Sequence, residues 1–189
     1  MNACDPGKSI AQIRELFEEY GERHYGEACT QLEHAISCAQ HAVQSNMPEH
    51  MVIAALLHDI GHFVADRQGL PGFDQWGYAA HDSLGANYLQ SLGFGKAVTE
   101  PIRLHVAAKR YQATLENTEL SVASSATLQQ QGGTMSNQEC QQFKSHPWAN
   151  DALRLRQLDD TGKPDKLENT NIEPWLERAK VYLRASQTT

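Results

Sequence analysis

An adjacent histidine and aspartate close an apolar run, and this pair limits the possible folds more than any other feature of the chain. The run spans Val52 to Leu57 and is followed directly by His58 and Asp59. Polar side chains at the end of a buried segment are costly unless a partner satisfies them. A lone histidine here is more often a satisfied core residue, but the aspartate directly after it favours a site for a cation.

Further histidines and a late aspartate recur at intervals of about one helix plus a connection. The steps along this ladder are 24, 22, 24 and 54 positions. Histidines on several packed helices can converge on one point, and four imidazoles with two carboxylates suit a pair of divalent metal ions. Each residue alone is ambiguous, so the prediction depends on their joint spacing. The ladder comprises His34, His58, Asp59, His81, His105 and Asp159.

The spacing of the apolar residues is helical almost throughout, which predicts an all-α helical bundle. Capping boxes predict helix starts at Ser9, Thr30 and Ser136, and Pro101 suits the first turn of another helix. We expect a long loop over residues 61–77, where glycines and a proline cluster, and no strand pairs.

Composition limits the partners of the chain. Its 189 residues carry a formal net charge of −7, which argues against binding nucleic acid or an anionic membrane surface. No apolar stretch approaches the roughly 18 residues of a membrane span. The four cysteines show no paired spacing, and the first residues lack the apolar region of a signal peptide. We therefore expect a cytoplasmic protein, and the sequence carries no signal for its oligomeric state.

Polar side chains that could bind a substrate lie close to the ladder. Lys109 follows a candidate ligand by four residues and Arg156 precedes another by three, so each shares a helix face with a ligand. Such residues are more often solvated cations, but beside a metal centre they can clamp an anion. His62, one turn after the His-Asp pair, could hydrogen-bond a substrate oxygen. Ser124 lies in a run of small residues that permits close approach of a ligand.

Four short sequence strings around these residues carry more specific information about the family of the chain. They are GEACTQLEH at 26–34, HDIGH at 58–62, HVAAKRY at 105–111 and QGG at 131–133. The ladder resembles the pattern of the HD-domain superfamily of metal-dependent proteins. The strings resemble, more specifically, its di-iron oxygenases that cleave 1-hydroxyphosphonates, a group distantly related to myo-inositol oxygenase. The resemblance extends from about Glu19 to Lys163, and the string at 105–111 is its most specific part.

The resemblance implies one HD domain over residues 1–189, with a core of about 19–163 and a C-terminal helix of about 172–186. It implies that the six ladder residues bind two iron ions as a mixed-valence Fe(II)/Fe(III) pair, with O2 as co-substrate. It also implies that the phosphonate is bound by His62, Lys109, Ser124 and Arg156. Ligand type alone does not select iron, since histidine and aspartate suit several divalent metals.

The chain departs from the family beside the GE pair at residues 26–27. The family has a mobile tyrosine, three positions before the glutamate, that caps one iron until substrate displaces it. That position is His24 here, and Tyr25 follows it. Glu27, which in the family supports the tyrosine and senses the substrate amine, is present. We expect His24 to be the cap, with Tyr25 as the alternative after a one-residue shift of the loop.

The activity implied by the resemblance is oxidative cleavage of a carbon–phosphorus bond in organophosphonate catabolism. The substrate would be 2-amino-1-hydroxyethylphosphonate, giving glycine, or hydroxymethylphosphonate, giving formate, with release of phosphate. The alternative is an HD-type phosphohydrolase, in which the same ligands activate water. A third class is a non-catalytic sensor of a metal or a phosphorylated ligand. The strings containing Glu27 and Lys109 favour the oxygenase.

Overall fold

A computed structural model describes residues 5–115 and 122–187 of the chain. Helices dominate this part, and no helix in it is both long and apolar enough to cross a membrane. The expected all-α class is therefore confirmed. In chain order the elements are α1 (Pro6–Tyr20), α2 (Gln31–Gln44), α3 (Glu49–Leu57), α4 (Ile60–Gln68), β1 (Phe73–Asp74), β2 (Gly77–Tyr78), α5 (His81–Ser91), α6 (Lys96–Leu115), α7 (Val122–Gln130), α8 (Asn137–Ser145), α9 (Ala149–Thr161) and α10 (Glu173–Ser186).

Helix α3 lies at the centre of the bundle. Every residue from Met51 to Leu57 is buried, as expected of a helix that is apolar on all sides. Helices α2, α6, α9 and α10 pack around it. The apolar run noted in the sequence therefore ends deep inside the protein, and His58 and Asp59 follow at that buried end.

The predicted loop over residues 61–77 is wrong in its first half, because residues 60–68 form α4. Gly61 does not break this helix. A Cβ there would overlap the backbone carbonyl of His81, so the glycine allows α4 and α5 to approach closely. The helix ends at Gly69, which adopts a left-handed conformation with φ 58° that favours glycine.

A short hairpin follows, which the sequence did not predict. Strand β1 pairs antiparallel with β2, with Phe73 opposite Tyr78. Two residues in each strand are too few to show an alternating apolar pattern, so periodicity carried no signal for them.

Two predicted helix starts are confirmed and two are wrong. Thr30 and Ser136 form capping boxes at α2 and α8. Helix α1 instead begins at Pro6 and is capped by Asp5, while the Ser9 hydroxyl donates to the Leu92 carbonyl at 3.0 Å. Helix α6 begins at Lys96, so Pro101 lies inside the helix, where it cannot donate the usual backbone hydrogen bond. The apolar spacing also predicts a helix over about residues 120–131, and its first two positions lie outside the described residues.

Candidate metal centre and substrate pocket

The structure brings the six ladder residues together in the middle of the bundle. The four histidines and Asp159 are buried, and the Asp59 side chain keeps 20% exposure. They are supplied by five different parts of the bundle, as the spacing predicted. His34 lies on α2, His58 and Asp59 lie between α3 and α4, His81 begins α5, His105 lies on α6 and Asp159 lies on α9.

Each ladder histidine donates a hydrogen bond from Nδ1 to a backbone carbonyl. A carbonyl oxygen can only accept, so Nδ1 carries the proton and a neutral ring has its lone pair on Nε2. This arrangement orients metal-binding histidines in many proteins. The bonds run from His34 to Gly162 (2.8 Å), from His58 to Ala55 (2.9 Å), from His81 to Tyr78 (2.8 Å) and from His105 to Ile102 (2.7 Å).

The Nε2 atoms face one another in two pairs. They are 3.3 Å apart between His34 and His58, and 2.9 Å apart between His81 and His105. Two lone pairs at these distances repel unless a cation lies close to them. The donor set therefore fits a metal ion at each pair.

Asp59 lies between the two pairs and turns one carboxylate oxygen toward each. Its Oδ2 is 3.6 Å from Nε2 of His34 and 3.4 Å from that of His58. Its Oδ1 is 3.4 Å from Nε2 of His81 and 3.8 Å from that of His105. This is the arrangement that a carboxylate bridging two metal ions requires.

Asp159 completes the set around the first pair. Its Oδ1 is 3.3 Å from Nε2 of His34, and its Oδ2 accepts a hydrogen bond from Nη1 of Arg156 at 2.5 Å. Burial would raise the pKa of Asp159, but the charge of Arg156 and the neighbouring His34 and His58 together outweigh burial and hold that pKa well below its usual range. Asp159 is therefore an anion at neutral pH, as a metal ligand should be. Arg156 also pairs with Asp160.

A pocket opens directly beside the six ladder residues, and one of its walls carries cations. The predicted substrate-binding groups all line it, together with Tyr25 and Glu27. Lys109 is buried and donates from Nζ to Oγ1 of Thr127 at 2.6 Å and to Oε1 of Gln131 at 2.8 Å. Burial and the charge of Arg156 lower the pKa of Lys109 to about 7. The lining residues near this wall include Lys109, Ser124, Thr127, Gln131, Arg156 and Lys163.

Lys163 is a pocket residue that sequence reasoning missed. Its Nζ lies 2.6 Å from Oε1 of Glu27 and 3.4 Å from Oγ of Ser124. Nη2 of Arg156 approaches the same Ser124 hydroxyl at 3.3 Å, so this hydroxyl lies between two cations. Lys163 follows Asp159 by four residues but lies just after α9, so the helix-face argument that identified Lys109 did not extend to it.

His62 stacks on His81, with ring centroids 3.9 Å apart. The backbone N–H of Tyr78 donates to its Nδ1 at 2.9 Å. Burial lowers the pKa of His62 well below its usual range, so the ring is neutral and its proton lies on Nε2. The Nε2 proton of His62 is therefore available for the hydrogen bond to a substrate oxygen that its predicted role requires.

The structure does not bring His24 to the pocket. Its side chain is exposed, whereas Tyr25 lines the pocket and packs on His62 with ring centroids 4.9 Å apart. Positive φ angles of 41° at Tyr25 and 81° at Gly26 turn the chain at this point. Of the two residues expected as the cap, only Tyr25 therefore lines the pocket.

Comparison with known proteins gives the family. Residues 14–141 match the family model of the HD domain. The chain belongs to the HD-domain family. This HD-domain protein is 38% identical over 187 residues to a hydroxymethylphosphonate dioxygenase of Gimesia maris, covering 92% of this chain and 91% of the relative.

Two further relatives of this HD-domain protein cover nearly as much. A [1-hydroxy-2-(trimethylamino)ethyl]phosphonate dioxygenase (glycine-betaine-forming) of Leisingera caerulea is 35% identical over 166 residues, with 86% of this chain and 84% of the relative covered. An uncharacterized protein of Acanthamoeba polyphaga mimivirus is 36% identical over 184 residues, with 92% and 83% covered.

Proposed function

We propose that this protein is an iron-dependent dioxygenase that uses O2 to cleave the carbon–phosphorus bond of a small 1-hydroxyphosphonate. The observation that carries this proposal is the pair of facing histidine sets joined by Asp59, next to a wall of buried cations. The dioxygenase relatives support the same reaction class. For hydroxymethylphosphonate the reaction balances as substrate plus O2 giving formate and phosphate.

Two iron ions, in a mixed-valence Fe(II)/Fe(III) state, would be held by two overlapping sets of ligands. Bound iron would supply the redox chemistry by which O2 oxidises the substrate carbon. The second set has fewer protein ligands, which suits a site that also takes a ligand from solution. The first set is His34, His58, Asp59 and Asp159, and the second is His81, His105 and Asp59.

The cationic wall would bind the phosphonate group. Lys109 and Arg156 bring positive charge, and Ser124 offers a hydroxyl between Arg156 and the neighbouring lysine. Charge-assisted hydrogen bonds of this kind are the strong ones. His62 would donate from Nε2 to a substrate oxygen and so orient the carbon that reacts.

We further propose that Tyr25 is the side chain that caps the centre before substrate binds, with Glu27 beside it in the pocket. A tyrosinate bound to Fe(III) should give a visible charge-transfer band in the oxidised, substrate-free protein. We expect this band to disappear in Tyr25→Phe and to persist in the matched variant His24→Ala. Loss of the band in His24→Ala would instead identify His24 as the residue that caps the centre.

Release of phosphate with and without O2 tests the proposed reaction. Aerobic protein should release phosphate from hydroxymethylphosphonate or 2-amino-1-hydroxyethylphosphonate, together with formate or glycine, and anaerobic protein should release none. Metal analysis should find two irons per chain. Phosphate release from a phosphate ester without O2 would instead establish the phosphohydrolase, and two bound metals without any turnover would favour a sensor.

A further inference from the structure

A partly buried ion pair joins two distant parts of the chain at the pocket. Lys163, after α9, approaches Glu27, before α2, at 2.6 Å, and their side chains are only 18% and 21% exposed. Both residues line the pocket beside the candidate metal centre. Their charges therefore act on whatever group of the substrate occupies this side of the pocket.

The charge of Glu27 decides whether the pocket can attract a positive group. Among the described residues that line the pocket, the carboxylates are Glu27, Asp59 and Asp159. The two aspartates face the histidines, which leaves Glu27 as the carboxylate that could bind a substrate cation. Lys163 neutralises it at contact distance, so a cation arriving here meets a balanced pair and not a free anion.

The relatives make this a specific question. The relative from Gimesia maris acts on hydroxymethylphosphonate, which has no positive group. The relative from Leisingera caerulea acts on a phosphonate that carries a trimethylamino group. We propose that the Glu27–Lys163 ion pair excludes cationic substituents, so that hydroxymethylphosphonate is the preferred substrate and Lys163 is the residue that sets this preference. This proposal rests on the proposed function, since it concerns the substrate of that reaction.

A cationic substituent would have to overcome two unfavourable effects. It would be repelled by Lys163, and it could gain the Glu27 carboxylate only by displacing Lys163 from a partly buried ion pair, which costs free energy. An uncharged C1 group meets neither effect. The small substrate leaves the ion pair in place to fill that side of the pocket.

Aromatic side chains in the same pocket favour the opposite preference. Tyr25, Trp76 and Tyr78 line it, and aromatic faces can bind quaternary ammonium groups. Those rings do not remove the positive charge of Lys163, so we expect its repulsion to dominate. The trimethylamino substrate must nevertheless be one arm of the experiment.

The test measures binding and turnover separately on the iron-loaded protein. Calorimetry without O2 gives dissociation constants for hydroxymethylphosphonate, 2-amino-1-hydroxyethylphosphonate and its trimethylamino counterpart, and aerobic phosphate release gives kcat/KM for the same three. The wild-type protein should bind hydroxymethylphosphonate about tenfold or more tightly than either cationic substrate, the size expected of one charged interaction. Lys163→Met should shift this ratio toward the cationic substrates by about tenfold or more.

Three further variants isolate the charge. Lys163→Arg should keep the wild-type preference, and Lys166→Met, at an exposed lysine three residues on, should change nothing. The double variant Glu27→Gln/Lys163→Met should lose the gain for cationic substrates, because the carboxylate that would attract them is gone.

Two results would overturn the inference. An equal loss for all three phosphonates in Lys163→Met would make Lys163 a phosphonate-binding cation without a part in selectivity, and a wild-type preference for either cationic substrate would contradict it directly. Failure of the proposed function is distinguishable. In that case the binding preference persists without O2-dependent phosphate release.

Discussion

Asp59 is the residue on which both halves of the candidate metal centre depend. Each of its oxygens faces a different pair of histidines, so removing the carboxylate should affect both ions. We expect Asp59→Ala to lose both metals and most activity, and Asp159→Ala to lose mainly the ion near His34. Metal content per chain measures this, with Asp165→Ala at an exposed position as the control. Two irons retained in Asp59→Ala would contradict the bridging role.

Lys109 should make phosphonate binding depend on pH. Burial and Arg156 lower its pKa to about 7, against smaller opposing effects of Asp159 and Asp160. The ammonium form is therefore present below that pH and is lost above it, so affinity should fall between pH 7 and 8.5, by at most about tenfold per pH unit.

Calorimetry with methylphosphonate, which lacks the hydroxyl group, can follow this dependence without turnover. The matched variant is Lys109→Arg, whose guanidinium stays charged throughout this range and should remove the fall. Parallel profiles for the two proteins would show that Lys109 does not titrate in this interval.

At the scale of elements, contact between α4 and α5 fixes His81. A Cβ on Gly61 would overlap the His81 carbonyl, so Gly61→Ala should force the two helices apart. We expect a loss of roughly 1–3 kcal/mol in the free energy of unfolding, as for other overpacked sites, and weaker binding of the metal that His81 would hold. Urea denaturation and metal analysis measure the two effects. Gly95→Ala is the control, since nothing lies within 4 Å of its Cβ, and equal stability of the two variants would contradict the prediction.

The sequence predicted elements with long periodic patterns and the residues that those elements carry. The ladder residues were predictable because helical spacing fixes the side of the helix on which a histidine lies, and packing does not change it. Tyr25 could not be placed in this way, because its position depends on positive φ angles in a loop, which no periodicity records. Gly61 was misread as a helix breaker because only the close approach of α5 reveals why a glycine stands there.

The ion pair of Lys163 was likewise not predictable from helical periodicity. It lies just after α9, so its partner could not be found from helix faces. The ion pair joins residues 136 positions apart in the chain, and such a contact follows from how the helices pack. The hairpin at 73–78 was missed because strands of this length leave no pattern.

At the scale of the whole molecule, α10 stabilises the bundle at a distance from the pocket. It packs on α1 and α3, buries Leu176 completely and pairs Arg178 with Glu49 at 2.5 Å. Leu176→Ala should lower the free energy of unfolding by about 2–5 kcal/mol through the cavity it leaves, without changing iron content. Denaturation and metal analysis test this against Val181→Ala, whose side chain is 57% exposed. Loss of iron in folded Leu176→Ala would show that α10 also holds the centre.

The candidate metal ligands and the groups that would meet the substrate carbon belong to different kinds of structure. The ligands lie on buried helices or at their ends, whereas Glu27, Trp76 and Lys163 lie in the connections between elements. Connections tolerate substitution far better than a packed core does. Substrate range can therefore diverge during evolution by changes in a few loop residues, while the oxidising centre descends unaltered. Two relatives named for different phosphonates are consistent with metal ligands on helices and substrate contacts in the connections.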